Sequence, residues 1–110
     1  MGLLITNQLL KQTSKGHVII GFSSGKDVEL ITSILPPSFL YYLCGSSNER
    51  VLIPQDYSHF FDQHKLKYQI FDFSFLAYDY CMLKSVRNDI ILVTGSTFIV
   101  SDILKYLDKV

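Results

Sequence analysis

The chain has 110 residues, 48% of them hydrophobic, enough for one domain with a real core but small for a complete two-substrate enzyme. Ten basic and ten acidic residues cancel without forming a basic stripe, which leaves nucleic-acid binding with little support. No apolar run approaches the roughly 18 residues of a membrane span, and no signal peptide is evident, so a cytoplasmic protein with no membrane association is expected.

Leu3, Leu4, Ile5, Leu9 and Leu10 give a rough helical stripe over residues 3–13, closed by Lys15-Gly16. His17–Phe22 reads as the first strand. Ser23-Ser24-Gly25 is a turn, and Lys26-Asp27 opens a helix with Val28, Ile31, Ile34 and Leu35 at helical spacing, stopped by Pro36-Pro37. Phe39–Cys44 is the second strand, followed by the polar loop Gly45–Arg50. Pro54 starts a helix that ends near His64, and Tyr68–Phe71 is a short third strand. Ser74–Val86 reads as a helix with Leu76, Tyr80 and Leu83 on one side. Asp89 leads into Ile90-Ile91-Leu92-Val93-Thr94, a run of β-formers that suits a strand covered on both faces. Phe98–Leu107 is the last helix.

Strands alternating with helices at this spacing imply right-handed parallel crossovers. The expected fold is a small doubly wound α/β sheet, Rossmann-like, with order 3-2-1-4 and the first and last strands as central neighbours. The chain is one domain, 1–110, and its start on a helix suggests a domain cut from something longer. Cys44 and Cys81 form no C-x-x-C pair and, with scattered histidines, supply no zinc set. They read as buried free thiols.

Two turns carry candidate chemistry. Gly95 permits a sharp turn, and Ser96 or Thr97 can cap the helix that follows. A strand end facing a helix N-terminus offers free N–H groups and partial positive charge to a carboxylate or phosphate. Capping alone accounts for the same residues. The second turn, Gly21-Phe22-Ser23-Ser24-Gly25-Lys26-Asp27, is not a Walker loop, because it has three residues between its glycines and Asp27 in place of the hydroxyl. It still leaves the carboxyl end of the first strand, where open α/β sheets bind ligands. Lys26 could reach a phosphate or acyl phosphate there, or simply be solvated beside a capping Asp27. Arg50 lies at the same edge and suits either anion binding or the surface. His17, His59 and His64 have no triad-like companions and read as surface or interface residues. Phe71, Phe73, Phe75, Tyr78 and Tyr80 read as core and rim packing.

Taken in order, three segments resemble the C-terminal domain of folylpolyglutamate synthase/dihydrofolate synthase, in the Mur ligase superfamily. They are His17–Phe22 with Lys26-Asp27-Val28, then Tyr41-Tyr42-Leu43 with Asn48–Leu52, then Asp89–Ser96 with Phe98-Ile99-Val100. The resemblance implies an ATP-dependent amide ligase, in which a carboxylate of folate or dihydropteroate is phosphorylated and the amine of L-glutamate attacks the acyl phosphate. It implies that Ser96, with Gly95 and Thr97, contacts the glutamate. Lys26 would be the electrostatic partner of the phosphate or acyl phosphate, and Arg50 a further binding residue. ATP and magnesium would be held mainly by an N-terminal ATPase domain in cis or trans. That family's Asp-x-Ala-His-Asn motif and phosphate loop would lie before Met1, so the chain alone should not turn over.

The competing expectation is a non-catalytic α/β binding or regulatory module. A receiver-like domain would need an acidic pair after the first strand, where Gly21–Ser24 has none. Asp72 after the third strand reads as a turn residue.

Overall fold

The computed structural model describes residues 15–108. The helix expected over residues 3–13 lies outside them. Strands β1 (Gly16–Gly21), β2 (Leu40–Cys44), β3 (Lys67–Phe71) and β4 (Ile90–Gly95) alternate with helices α1 (Val28–Ile34), α2 (Pro54–Gln63), α3 (Ser74–Lys84) and α4 (Thr97–Asp108). The sheet runs β3-β2-β1-β4 with every pair parallel, as expected from the alternation. All four strands therefore deliver their carboxyl ends to one edge, and all four helices start there. No helix among the described residues is long and apolar enough to cross a membrane.

The two-residue period of the strands sorts the core into two layers. On one face Val18, Ile20, Phe22, Tyr41 and Leu43 pack with Val28, Tyr57 and Phe61 of α1 and α2. On the other, Ile19, Tyr42 and Cys44 pack with Ala77 and Cys81 of α3 and Ile99 and Ile103 of α4. Both cysteines are buried and free, as expected.

Four expectations are corrected. β4 stands at a sheet edge, and Ile90 through Val93 are only partly buried. Its apolar run reflects one well-covered side (Ile91 and Val93 against α3 and α4) rather than cover on both. In α3 the buried residues are Ser74, Ala77 and Cys81, whereas Leu83 is 82% exposed. The small residues at i, i+3 and i+7 let the helix lie close on the sheet, while Leu76 and Leu83 face outward and Tyr80 packs partly against the layer. In α1, Val28 and Leu35 are buried but Ile34 is 73% exposed.

The fourth correction concerns His17, which is not a surface residue. It is 1% exposed, with Nδ1 hydrogen-bonded to the Tyr42 hydroxyl at 2.7 Å and Nε2 to Asp89 Oδ2 at 2.8 Å. The register Gly16↔Ile90 places His17 beside Asp89 from 72 residues away. Asp89 Oδ2 also accepts from the Val86 N–H at 3.0 Å. Burial pushes the Asp89 carboxyl up, but the Val86 N–H, His17 and the Lys15 charge outweigh it and hold it below the usual range.

A carboxyl depressed by folding contributes stability that is present above its unfolded pKa and lost as pH falls through its folded one. Chemical denaturation should therefore show stability dropping below about pH 4, and Asp89→Asn should flatten that drop. The packing of α3 predicts that Ala77→Leu costs about 1–3 kcal/mol through overpacking. Leu83→Gln should stay within about 0.5 kcal/mol in the same measurement.

Candidate functional site

Gly21 ends β1 and Gly95 ends β4, and the two pair in register. Gly95 has φ +99°, and a Cβ on it would lie 2.0 Å from the Gly21 carbonyl oxygen. A Cβ on Gly21 would come within 2.6 Å of the Ile99 side chain and 2.9 Å of the Cys44 carbonyl oxygen. Neither position tolerates a side chain, so the two backbones close on each other at the ligand edge. The Ser96 N–H then donates to the Gly21 carbonyl at 2.8 Å.

Ser96 is the cap of α4. Its Oγ accepts from the Phe98 N–H at 3.1 Å and from the Ser23 hydroxyl at 2.8 Å, and its carbonyl accepts from Ile99 and Val100. The residue is 2% exposed. Capping is thus realised, and the same oxygen ties the β4 turn to the loop after β1. Thr97 and Gly95 are exposed on either side of it, so they present the first turn of α4 to solvent.

The β1–α1 loop is held from below by the segment after β2. Ser24 N–H donates to the Arg50 carbonyl at 2.7 Å, Leu52 N–H donates to the Phe22 carbonyl at 2.7 Å, and Ser23 and Val51 form an antiparallel bridge. Arg50 therefore positions this loop through its backbone, while the residue itself is exposed. Gly25, at φ +90°, turns the chain. Asp27 caps α1 by accepting from the Leu30 N–H at 3.1 Å. Lys26 is exposed and, with Gly95, Ile20, Phe22 and Ile31, lines a cavity of about 50 Å³. Lys26, Gly95, Ser96, Thr97 and the Arg50 backbone thus meet at the β1–β4 exit, 70 residues apart in the chain or bridged by one loop.

Sequence reasoning missed two members of this edge. Ser23 supplies the hydroxyl bonded to Ser96. Ser46, after β2, donates to Asp102 Oδ2 of α4 at 2.8 Å, and its own oxygen accepts from the Asn48 N–H. Burial, and then the Asp102 charge, push the Cys44 thiol beside them up to about 12, so it is no nucleophile. The hydroxyl–carboxylate pair is visible only once the crossover order is known. Among the described residues no three His, Cys, Asp or Glu side chains stand together as a metal set.

Neither protein-family models nor curated proteins give a match to the sequence. Solved structures do match the fold. Ligand-free bifunctional folylpolyglutamate synthase/dihydrofolate synthase from Yersinia pestis superposes with TM-score 0.79 at 18% identity, over 97% of this chain and 26% of that one. The same Yersinia enzyme with AMPPNP and Mn gives 0.75 at 19% identity, over 97% and 26%. Escherichia coli FolC with ADP gives 0.74 at 18%, over 98% and 26%. The chain thus has the fold of about a quarter of these ligases and spans about a quarter of their length.

Gly95→Ala should cost about 2–4 kcal/mol, since it combines left-handed backbone strain with a backbone clash. Gly25→Ala, where nothing lies within 4 Å, should cost only about 1–2 kcal/mol from its φ alone. Urea midpoints of the two variants test the difference.

Proposed function

We propose that this chain is the glutamate-side domain of an ATP-dependent amide ligase that extends folate or dihydropteroate. The observation that carries the reading is the β1–β4 exit, where an exposed lysine and Gly95 at the end of β4 line one cavity in a fold shared with folylpolyglutamate synthases. In this reading ATP converts the acceptor carboxylate to an acyl phosphate. The glutamate amine then attacks the acyl carbon, the amide C–N bond forms, and inorganic phosphate leaves with the C–O bond electrons.

The residues of this chain hold the reactants. Thr97, at the start of α4, receives the glutamate carboxylate through its hydroxyl and N–H, favoured by the helix dipole. Ser96, deeply buried and doubly hydrogen-bonded, fixes that turn, and its own O–H remains available to donate toward the carboxylate. Gly95 keeps the approach open. Lys26 offsets the negative charge that accumulates on the phosphate as the acyl phosphate is attacked. Arg50 supports the Lys26 loop through its carbonyl and offers its guanidinium at the rim. In this reading magnesium, the nucleotide and activation of the acceptor fall to the ATPase domain.

Titration of the chain with L-glutamate should shift the amide resonances of Gly95, Ser96 and Thr97 at millimolar concentrations. The chain should also support glutamate-dependent ADP release when joined to the ATPase domain of a folylpolyglutamate synthase. Lys26→Ala in that fusion should lower kcat by about 10–100-fold, the value of one hydrogen bond to a charged group. No amide shift, together with no glutamate-dependent turnover on any folate or pteroate acceptor, would leave a non-catalytic module as the reading.

A further inference from the structure

The opposite edge of the sheet holds a larger cavity, of about 300 Å³. That volume lies at the small end of pockets that take organic ligands, which run from roughly 300 to 1,000 Å³. Three lysines line it: Lys15 just before β1, Lys67 at the start of β3 and Lys84 at the end of α3. No carboxylate is among the lining residues. The nearby acids are already engaged. Asp89 Oδ2 is taken by His17 and the Val86 N–H, and Asp62 accepts from the Tyr68 hydroxyl at 2.9 Å. Among the described residues, none of the three ammonium groups has a carboxylate oxygen within salt-bridge distance.

Like charges around a concavity raise its potential and draw in an anion. The walls between the lysines are aromatic. Tyr80 carries Lys84 Nζ at 5.4 Å from its ring centroid, and its hydroxyl accepts from Gln69 at 3.3 Å. Tyr42 lines the floor with its ring 6.1 Å from that of Tyr80. A bare ion would use the lysines and leave the exposed part of the Tyr80 ring uncovered. A flat ring bearing a dianion uses both, since lysine meets phosphate as a point charge and tyrosine faces pack on aromatic rings.

We propose that this amino-edge cavity binds an aromatic phosphomonoester, with the phosphate among Lys15, Lys67 and Lys84 and the ring against Tyr80. The site is separate from the β1–β4 exit and does not rest on the ligase reading. Phenyl phosphate titrated into the isotope-labelled 110-residue chain at low ionic strength should shift the amides of residues 67–69 and 80–84. The exposed pair Lys67→Gln/Lys84→Gln should weaken binding about tenfold, from roughly 0.7 kcal/mol per charge. Lys105→Gln, on α4, should leave it unchanged. Shifts absent from those amides, or an unaltered affinity in the double variant whose spectrum remains that of the folded chain, would overturn the site. Inorganic phosphate binding as tightly as phenyl phosphate would reduce it to a charge patch, and benzoate binding as tightly would make it a carboxylate site. Either result would also overturn the proposal.

Discussion

The contact between the backbones of Gly21 and Gly95 is the constraint on which the rest of the arrangement depends. It sets the exits of β1 and β4 against each other, and every element of the candidate site is placed by it. The Ser96 N–H reaches the Gly21 carbonyl only because no side chain intervenes. That bond fixes the direction in which α4 leaves the sheet. The Ser23–Ser96 hydroxyl pair then fastens the loop bearing Lys26 to the same turn. At the other end of β1, His17 bonds to Asp89 before β4 and to Tyr42 on β2. The central strand is thus secured by backbone at its ligand edge and by side chains at its far edge.

These two fastenings differ in physical kind. The glycine contact is steric, with no dependence on pH or salt. The His17 cluster is polar and sits in a nearly dry environment, where an unmade hydrogen bond is costly. Among the described residues Asp89 Oδ1 has no partner, and it is buried, so its desolvation is only partly offset. The Tyr57 hydroxyl, on the other layer, is in the same position, and burial, then the neighbouring Cys44, push its ionisation up. Such groups cost stability that apolar packing must cover, and the dense aromatic layer of Phe22, Tyr41, Tyr57 and Phe61 provides it.

The strand order and the helix–strand alternation were legible because both follow from local periodicity and crossover handedness. Helix starts at Asp27 and Ser96 were legible for the same reason, since a cap is a local event. What escaped was decided by neighbours. The apolar run of β4 says that it prefers burial, not that a second layer covers it. In α3 the periodicity groups Leu76, Tyr80 and Leu83 on one side, yet helix–sheet distance buries the small Ala77 and Cys81. Lys26, Gly95, Ser96 and Thr97 could be assigned to one edge from topology alone. The Ser23–Ser96, Ser46–Asp102 and His17–Asp89 pairs join residues 56 to 73 positions apart, and their register is a property of the folded sheet.

The two cysteines lie in the same packed layer, one on β2 and one on α3, and neither exposes any surface. Burial pushes Cys44 up to about 12 and Cys81 up to about 11, so at neutral pH almost none of either sulfur is thiolate. An alkylating reagent can therefore modify them only in molecules whose helix layer has lifted from the sheet. The chain carries an internal clock for its own opening. The labelling rate of each sulfur counts excursions of the layer that seats α4, and with it the turn at Gly95, on timescales a static picture does not reach.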